Sequence, residues 1–411
     1  MHHGGGVGVN ASIIGESPTG LGLYAINLIR ALDAIRGDLS VFTSCPQAFA
    51  GLRARIVPAT VLARPERGLR GHFSRLLWVQ TALRARARMA RADVLLNTVP
   101  EAILGARVPQ VTVVHDLLPL FFPAEYPRQQ YYFRSFVPRV LKSSRVIVAD
   151  SESTRRDIIQ SYGIAPGKVR VIYPGYDPTT YAANGFHADA GEDTYLLYVG
   201  NLLPHKNLLN LLDALAILRR RRSVRLIIRG DGQPTYAHAV RERVETLGLH
   251  DVVSFQGYAG GPALRDLYAR AACLVLPSLR EGFGLPVLEA MACGTPVITS
   301  SSSSLPEVGG DAALRVDPHD AIDLSDAMYR VLTDTRLRED LRERGLRWVG
   351  GFTWERTAEQ MSRLVDEVRA GTTAAPEAAG QRVVALSDSS DDDAGAHRHA
   401  REGESWKQNA R

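Results

Sequence analysis

Cysteine is scarce in this chain. Cys45, Cys273 and Cys293 are odd in number and lack metal-ligand spacing, which points to a reducing compartment rather than a disulfide or zinc framework. Long apolar runs are missing too. None approaches the ~20 residues needed to span a bilayer. The start, Met1-His2-His3-Gly4-Gly5-Gly6, lacks the charged and apolar regions of a signal peptide. A cytoplasmic location is expected. Acidic residues are almost absent from residues 53–91, where Glu66 stands alone. Arg53, Arg55, Arg64, Arg67, Arg70, Arg75, Arg84, Arg86, Arg88 and Arg91 fill that stretch, interleaved with Leu69, Phe73, Leu76, Leu77 and Trp78. Two readings fit: a basic amphipathic segment on anionic lipid, or a solvated helix face with Phe73 and Trp78 in the core. No nucleic-acid module accompanies the run, so a nucleic-acid partner is not expected.

What is present is ordinary for a soluble globular protein. The 411 residues are 45% hydrophobic and 23% charged, enough for two or three domains. Residues 7–14, 39–43, 94–97, 111–115, 145–149 and 169–173 are short β-rich runs, and a helix is expected over 23–35. Strands separated by helices predict a parallel sheet covered on both faces. The pattern restarts with strands at 195–199, 225–229, 252–255, 273–276 and 297–299 and helices at 207–222 and 240–247. The expected fold class is α/β, with two doubly wound, Rossmann-like domains facing a central cleft. The boundaries read as 1–177 for the first domain, 178–194 for a linker and 195–350 for the second domain. A helix over 351–370 crosses back to the first domain, and a disordered tail runs over 371–411. Asp391, Asp392 and Asp393 in that tail read as a solvated charge run, not a metal site.

Four constellations carry chemistry. Gly20 and Gly22 in "SPTGLGLYAINLIRAL" lie before the first helix, where backbone N–H groups can face an anion. They also fit a loose dinucleotide fingerprint, but the next strand ends Thr43-Ser44-Cys45 with no acid for a ribose. In "VTVVHDLLPLFFP", His115 and Asp116 close a strand, at the edge where sites gather. In "LLYVGNLLPHKN", Lys206 sits before a helix, a good seat for a diphosphate. The fourth is "REGFGLPVLEAMACGTPV". Glu281 precedes a tight Gly282-Phe283-Gly284-Leu285-Pro286 turn, and Glu289 follows about one turn into a helix that begins near Pro286. Two carboxylates around an anion-attracting helix end make sense if each accepts hydrogen bonds from hydroxyls. A phosphate with sugars at both ends has that form.

The E-x7-E block "EGFGLPVLEAMACGTPVI" resembles the signature of retaining GT-B-fold glycosyltransferases, specifically glycosyltransferase family four. The glycine loop, His115, "VADSEST", "VIYPGYD" and the Lys206 block occur in the expected order, and the resemblance covers residues 7–369. It implies a nucleotide-sugar donor held by the C-terminal domain. Glu289 would hold ribose hydroxyls, and Glu281 those of the transferred sugar. Lys206 and the N–H groups of Gly282, Phe283, Gly284 and Leu285 would take the diphosphate. His115 would touch the donor sugar, Gly20 and Gly22 would approach the phosphates or acceptor, and Ser151 and Glu152, with Asp116, would lie on the acceptor side. Many members carry an arginine where this chain has Asn201, expected at the donor; either Lys206 suffices, or another residue such as Arg229 or His205 helps. No cofactor or bound metal is implied. "YVGNLLPHKN" and "VVHDLLPLFFP" look like blocks of bacterial polysaccharide mannosyltransferases, which favours GDP-mannose and a lipid-linked glycan acceptor. The alternatives are an NAD-linked oxidoreductase and a non-catalytic nucleotide-sugar binding protein.

Overall fold

The computed structural model describes residues 5–183, 194–257 and 260–372. Most of the expected linker and nearly all of the expected tail lie outside these residues. The first sheet contains β1 (Gly6–Asn10), β2 (Leu39–Thr43), β3 (Arg55–Pro58), β4 (Ala92–Asn97), β5 (Gln110–Val114), β6 (Val146–Ala149) and β7 (Val169–Val171). The second contains β8 (Tyr195–Val199), β9 (Arg225–Arg229), β10 (Val253–Gln256), β11 (Ala271–Leu276), β12 (Val297–Ser300) and β13 (Leu314–Val316). Their orders are β3-β2-β1-β4-β5-β6-β7 and β10-β9-β8-β11-β12-β13, and the strand pairs are parallel.

Both orders reverse direction once. Chain progress turns between β1 and β4 in the first sheet and between β8 and β11 in the second. At such a switch point the two following loops diverge to opposite faces and leave a crevice at the carboxyl ends of the strands. The central strands are buried, whereas edge strands such as β10 are partly exposed. β5 and β11 are buried along their full lengths, as a strand covered by helices on both sides must be.

The helix Trp354–Ala370 belongs to the first domain's core, although it follows the second domain in sequence. Its Trp354, Ala358, Met361, Leu364, Val365 and Val368 join the cluster built on β1, β2 and the helix Gly20–Ile35. Thr353 caps its start by accepting the Arg356 N–H at 3.2 Å, and Gly371, at φ +72°, ends it. Arg36 fastens the outer face, reaching Asp38 at 2.9 Å and Asp366 at 3.0 Å. The chain therefore crosses between the domains twice.

The arginine-rich segment divides between the two readings of it. Its middle is the helix Gly68–Trp78. Arg75 is buried in a salt bridge to Glu101, and Trp78 is in the core, as the solvated-helix reading expects. Arg84 and Arg86 are bound to the backbone carbonyls of Leu104 and Pro58. Phe73, however, is 68% exposed, with Leu77 at 66% and Leu69 at 46%. These three recur at i, i+4 and i+8 and form an apolar stripe facing outward. Among the described residues no helix is long and apolar enough to cross a membrane.

Candidate active site

The second domain's switch point brings two loops together. The loop after β8 runs from Gly200 to Asn207, and the loop after β11 runs from Pro277 to Gly284. Leu279 N–H donates to the His205 carbonyl at 2.8 Å, and the Asn207 side chain donates to the Pro277 carbonyl at 3.1 Å. This stitching sets Lys206 against Glu281. The ammonium lies 2.6 and 2.7 Å from the two carboxylate oxygens, and both side chains are largely shielded from water. A charge-assisted pair of this kind fixes both groups before any ligand arrives.

The turn after Glu281 is held from the serine run. Ser304 Oγ donates to the carbonyls of Glu281 at 3.1 Å and Phe283 at 2.8 Å, and Ser303 Oγ donates to Glu281 at 2.8 Å. Gly284 sits at φ +111°, which L side chains rarely adopt. The helix Leu285–Ala292 follows, with Pro286 in its first turn. The Phe283 side chain is core, packed near Tyr173 and Phe352, so any ligand contact from this residue comes from its backbone. Glu289 points into the domain and accepts from the Tyr268 hydroxyl at 2.9 Å. Burial raises its pKa from 4.5 to about 7, against the opposing effect of the Tyr268 bond.

Across the seam the first domain presents β5, β6 and the helix Glu152–Tyr162. His115 follows β5, and its two ring nitrogens are both engaged: Nδ1 at 2.6 Å from Asp150 and Nε2 at 2.8 Å from the Thr98 carbonyl. Two acceptors on one imidazole favour the doubly protonated ring. Desolvation pulls its pKa down, but the Asp150 carboxylate and the Thr98 carbonyl outweigh it, and the pKa is raised. Both ring nitrogens of His115 are therefore engaged within the first domain, and the ring is only partly exposed. Asp116, beside it, accepts the Leu118 N–H at 3.0 Å, while burial raises its pKa.

Ser151 and Glu152, expected on the acceptor side, lie at the junction of the two domains. Ser151 Oγ donates to the Gly282 carbonyl at 2.7 Å, and Thr154 Oγ1 donates to the same oxygen at 3.1 Å. The Glu152 and Ser153 N–H groups donate to the Glu307 carboxylate at 3.0 and 3.1 Å. Glu307 thus caps, from the other domain, a helix start that attracts negative charge. Arg280 adds a bridge to Asp157 at 2.6 Å. Glu125 takes the backbone N–H of His205 at 3.0 Å and also binds its ring.

The remaining candidates fall apart from this group. The helix Gly20–Ile35 begins at Gly20, earlier than expected, and the Gly22 N–H is held by the Thr19 carbonyl at 2.7 Å. The glycines are therefore the helix's first turn, not a loop ahead of it. Asn201 is exposed, and its carbonyl accepts the Tyr198 hydroxyl at 3.0 Å. Of its candidate substitutes, His205 is committed to Glu125, and Arg229 reaches Gln256 at 3.3 Å. A cavity of about 270 Å³ opens at the carboxyl ends of β9 and β10, lined by Leu202, Asp231, Gly232, Phe255 and Gln256.

Asp150, Glu125, Glu307, Ser303 and Ser304 were not recognised as site residues from sequence. Asp150 alone had a local signal, a strand-end acid inside "VADSEST".

Comparison with known proteins agrees with this architecture. The family described as Glycosyltransferase Family 4 matches residues 18–180, and that described as Glycosyl transferases group 1 matches residues 184–348. The chain is similar to O-antigen chain mannosyltransferase B of Escherichia coli, 31% identical over 259 residues that cover 61% of this chain and 68% of the relative. It is also similar to O-antigen chain mannosyltransferase RfbU of Salmonella typhimurium, 28% identical over 76% of this chain and 87% of the relative. Among solved structures, sucrose-phosphate synthase from Thermosynechococcus elongatus superposes with a TM-score of 0.72 at 21% identity, covering 89% of this chain and 100% of that one. That likeness speaks to the fold, the two-domain GT-B arrangement.

The His115 environment has a measurable consequence. A histidine whose folded pKa is raised above 6.5 contributes stability that is complete below 6.5 and is lost as pH rises through the folded value. The melting temperature should therefore fall as pH climbs above 6.5. Asp150→Asn should flatten that fall while lowering stability at acidic pH. An unchanged pH profile in the variant would show that His115 is not charged in the folded protein.

Proposed function

This chain belongs to glycosyltransferase family 4, and on that premise we propose that it moves a hexose from a nucleotide-sugar donor to a glycan acceptor with retention at the anomeric carbon. The observation that carries this reading is the Lys206–Glu281 pair at the second domain's switch point. When a nucleoside diphosphate departs, negative charge grows on phosphate and positive character on the anomeric carbon. A preorganised ammonium stabilises the first as it forms. In the proposal the diphosphate takes Lys206 and the N–H groups of Gly282, Phe283, Gly284 and Leu285 at the helix start. Glu281, released from full pairing, then accepts sugar hydroxyls, and Glu289 accepts those of the ribose. The cavity beside Gly232 gives room for part of the nucleoside. His115, fixed by Asp150, supplies positive potential.

The nature of the two O-antigen mannosyltransferases favours GDP-mannose as donor and a polysaccharide precursor as acceptor. No metal is assigned a part, because Lys206 and the helix start already carry the charge of the leaving group. The dehydrogenase reading has no support in the family match, and the pairing of Lys206 with Glu281 favours transfer over mere binding.

A cytoplasmic enzyme acting on a lipid-linked acceptor gains effective concentration by sitting on the membrane. The apolar stripe Leu69, Phe73 and Leu77, flanked by exposed Arg67 and Arg70, suits that contact. Arg75 does not serve it, since it is buried against Glu101, and the half-buried Arg84 and Arg86 are tied to the carbonyls of Leu104 and Pro58.

Two measurements test this reading. Purified protein incubated with a panel of nucleotide sugars should release nucleotide from one of them, with EDTA present. Glu281→Ala should slow that release by roughly 10²-fold or more. No release from any donor, or release that requires an added divalent ion, would contradict it. For the membrane contact, Phe73→Asp with Leu77→Asp should abolish sedimentation with anionic vesicles at low salt and leave turnover on a water-soluble acceptor intact. Unchanged sedimentation would remove the stripe from the interface.

A further inference from the structure

The first domain carries a cavity of about 650 Å³ that the transferase chemistry does not use. It lies at the opposite edge of the sheet from the cleft. Its walls are the segments that lead into three adjacent strands: Arg107 before β5, Lys142 and Arg145 before β6, and Lys168 before β7. β5 separates this edge from His115. At about 3.3 Å per residue, that is a distance on the order of 15–20 Å.

These walls are cationic. Arg107, Lys142 and Arg145 are exposed, and none of these three, nor Lys168, forms an ion pair with a carboxylate among the described residues. Elsewhere the chain pairs its arginines readily: Arg219 with Asp251, Arg243 with Asp213, Arg280 with Asp157. Lys168 is bent over the cavity wall, donating to the Lys142 carbonyl at 2.8 Å. Its pKa is lowered, by burial first and then by the neighbouring Arg145 charge. Like charges gathered around a concavity repel one another, and an anion placed among them removes that cost. The low-dielectric walls of a cleft also focus the field of such charges. The concavity is wide open to solvent, so both a small molecule and a headgroup standing out of a membrane can reach it.

The structure assigns to this cavity a second anion site, taking a ligand with two or more phosphate charges through Arg107, Lys142, Arg145 and Lys168. The site is remote from the cleft and does not rest on the transferase reading. The same phosphate chemistry is offered by a free phosphorylated metabolite or by a lipid headgroup standing out of a membrane, and these are separable by experiment.

The probe is inorganic pyrophosphate, titrated calorimetrically into the full-length protein at low salt. Lys206→Ala is used as the background, because it removes the cation expected to bind pyrophosphate in the cleft. Pyrophosphate should still bind this variant, and adding Arg107→Ser and Arg145→Ser should weaken that binding roughly tenfold or more. The added substitutions remove exposed like charges, so the melting temperature should not fall. Arg107→Lys with Arg145→Lys, which keeps both charges, should retain binding. A parallel arm follows sedimentation with phosphatidylglycerol vesicles. If the serine substitutions reduce sedimentation while free pyrophosphate fails to bind the Lys206→Ala background, the phosphate belongs to a lipid. If they change neither pyrophosphate binding nor sedimentation, the assignment is overturned.

Discussion

Gly282 has no side chain, and the space a Cβ would need is occupied by the other domain. An added Cβ would lie 2.3 Å from the His115 carbonyl oxygen, closer than any real contact. The two backbones therefore come close at this residue, and much of the site is arranged around the meeting. The Gly282 carbonyl accepts from Ser151 and Thr154, so the start of the helix Glu152–Tyr162 is pinned to the turn that carries Glu281. Glu307 and Arg280 hold the same helix from either side. The signature turn is structurally shared: its chain belongs to the second domain, and its position is set by both.

This explains why the carboxylate at Glu281 comes with a short, glycine-rich turn. A bulkier residue at 282 would push the domains apart and carry Glu281 away from β5. The Lys206–Glu281 pair is fixed in turn by the stitching of the loops after β8 and β11. Around the pair, charge is graded. Asp150 and the Thr98 carbonyl raise the pKa of His115 and so favour its charged form, while burial raises that of Glu289 to about 7. Such an arrangement favours negative charge at the head of the helix Leu285–Ala292 and hydroxyl groups on either side of it.

The fold was legible because its signals are local. β-rich runs such as residues 195–199 and 273–276 announce themselves by composition, and the positions of Lys206 and Glu281 after strands followed from them. The E-x7-E block was legible because its turn and helix chemistry fit within a few residues. What escaped were partners far apart in sequence. Glu125 and His205 are 80 residues apart, and Glu152 and Glu307 are 155 apart. Nothing in either local sequence marks such a pair, because the bond exists only after two domains have formed and met. The block that places Ser151 and Glu152 on the acceptor side does not reveal that both also bond to the other domain. The arginine-rich segment shows the same limit. Its composition could not tell Arg75, buried against Glu101, from Arg70, exposed beside Phe73. The glycines at Gly20 and Gly22 were misplaced by one turn because glycine, read locally, argues for a loop. Here tertiary packing of Tyr24, Leu28 and Leu32 extends the helix back over them.

The backbone approach at Gly282 holds the turn that carries Glu281 against the first domain. That constraint is tested most directly by Gly282→Ala, assayed for nucleotide release on whichever donor the wild type turns over. A misplacement of about 1 Å at a reacting centre costs on the order of 10²-fold in rate. The account predicts a loss of at least that size with the circular dichroism of the folded domains retained. Wild-type turnover in Gly282→Ala would contradict it, since the seam would then tolerate a side chain where the structure leaves no room for one.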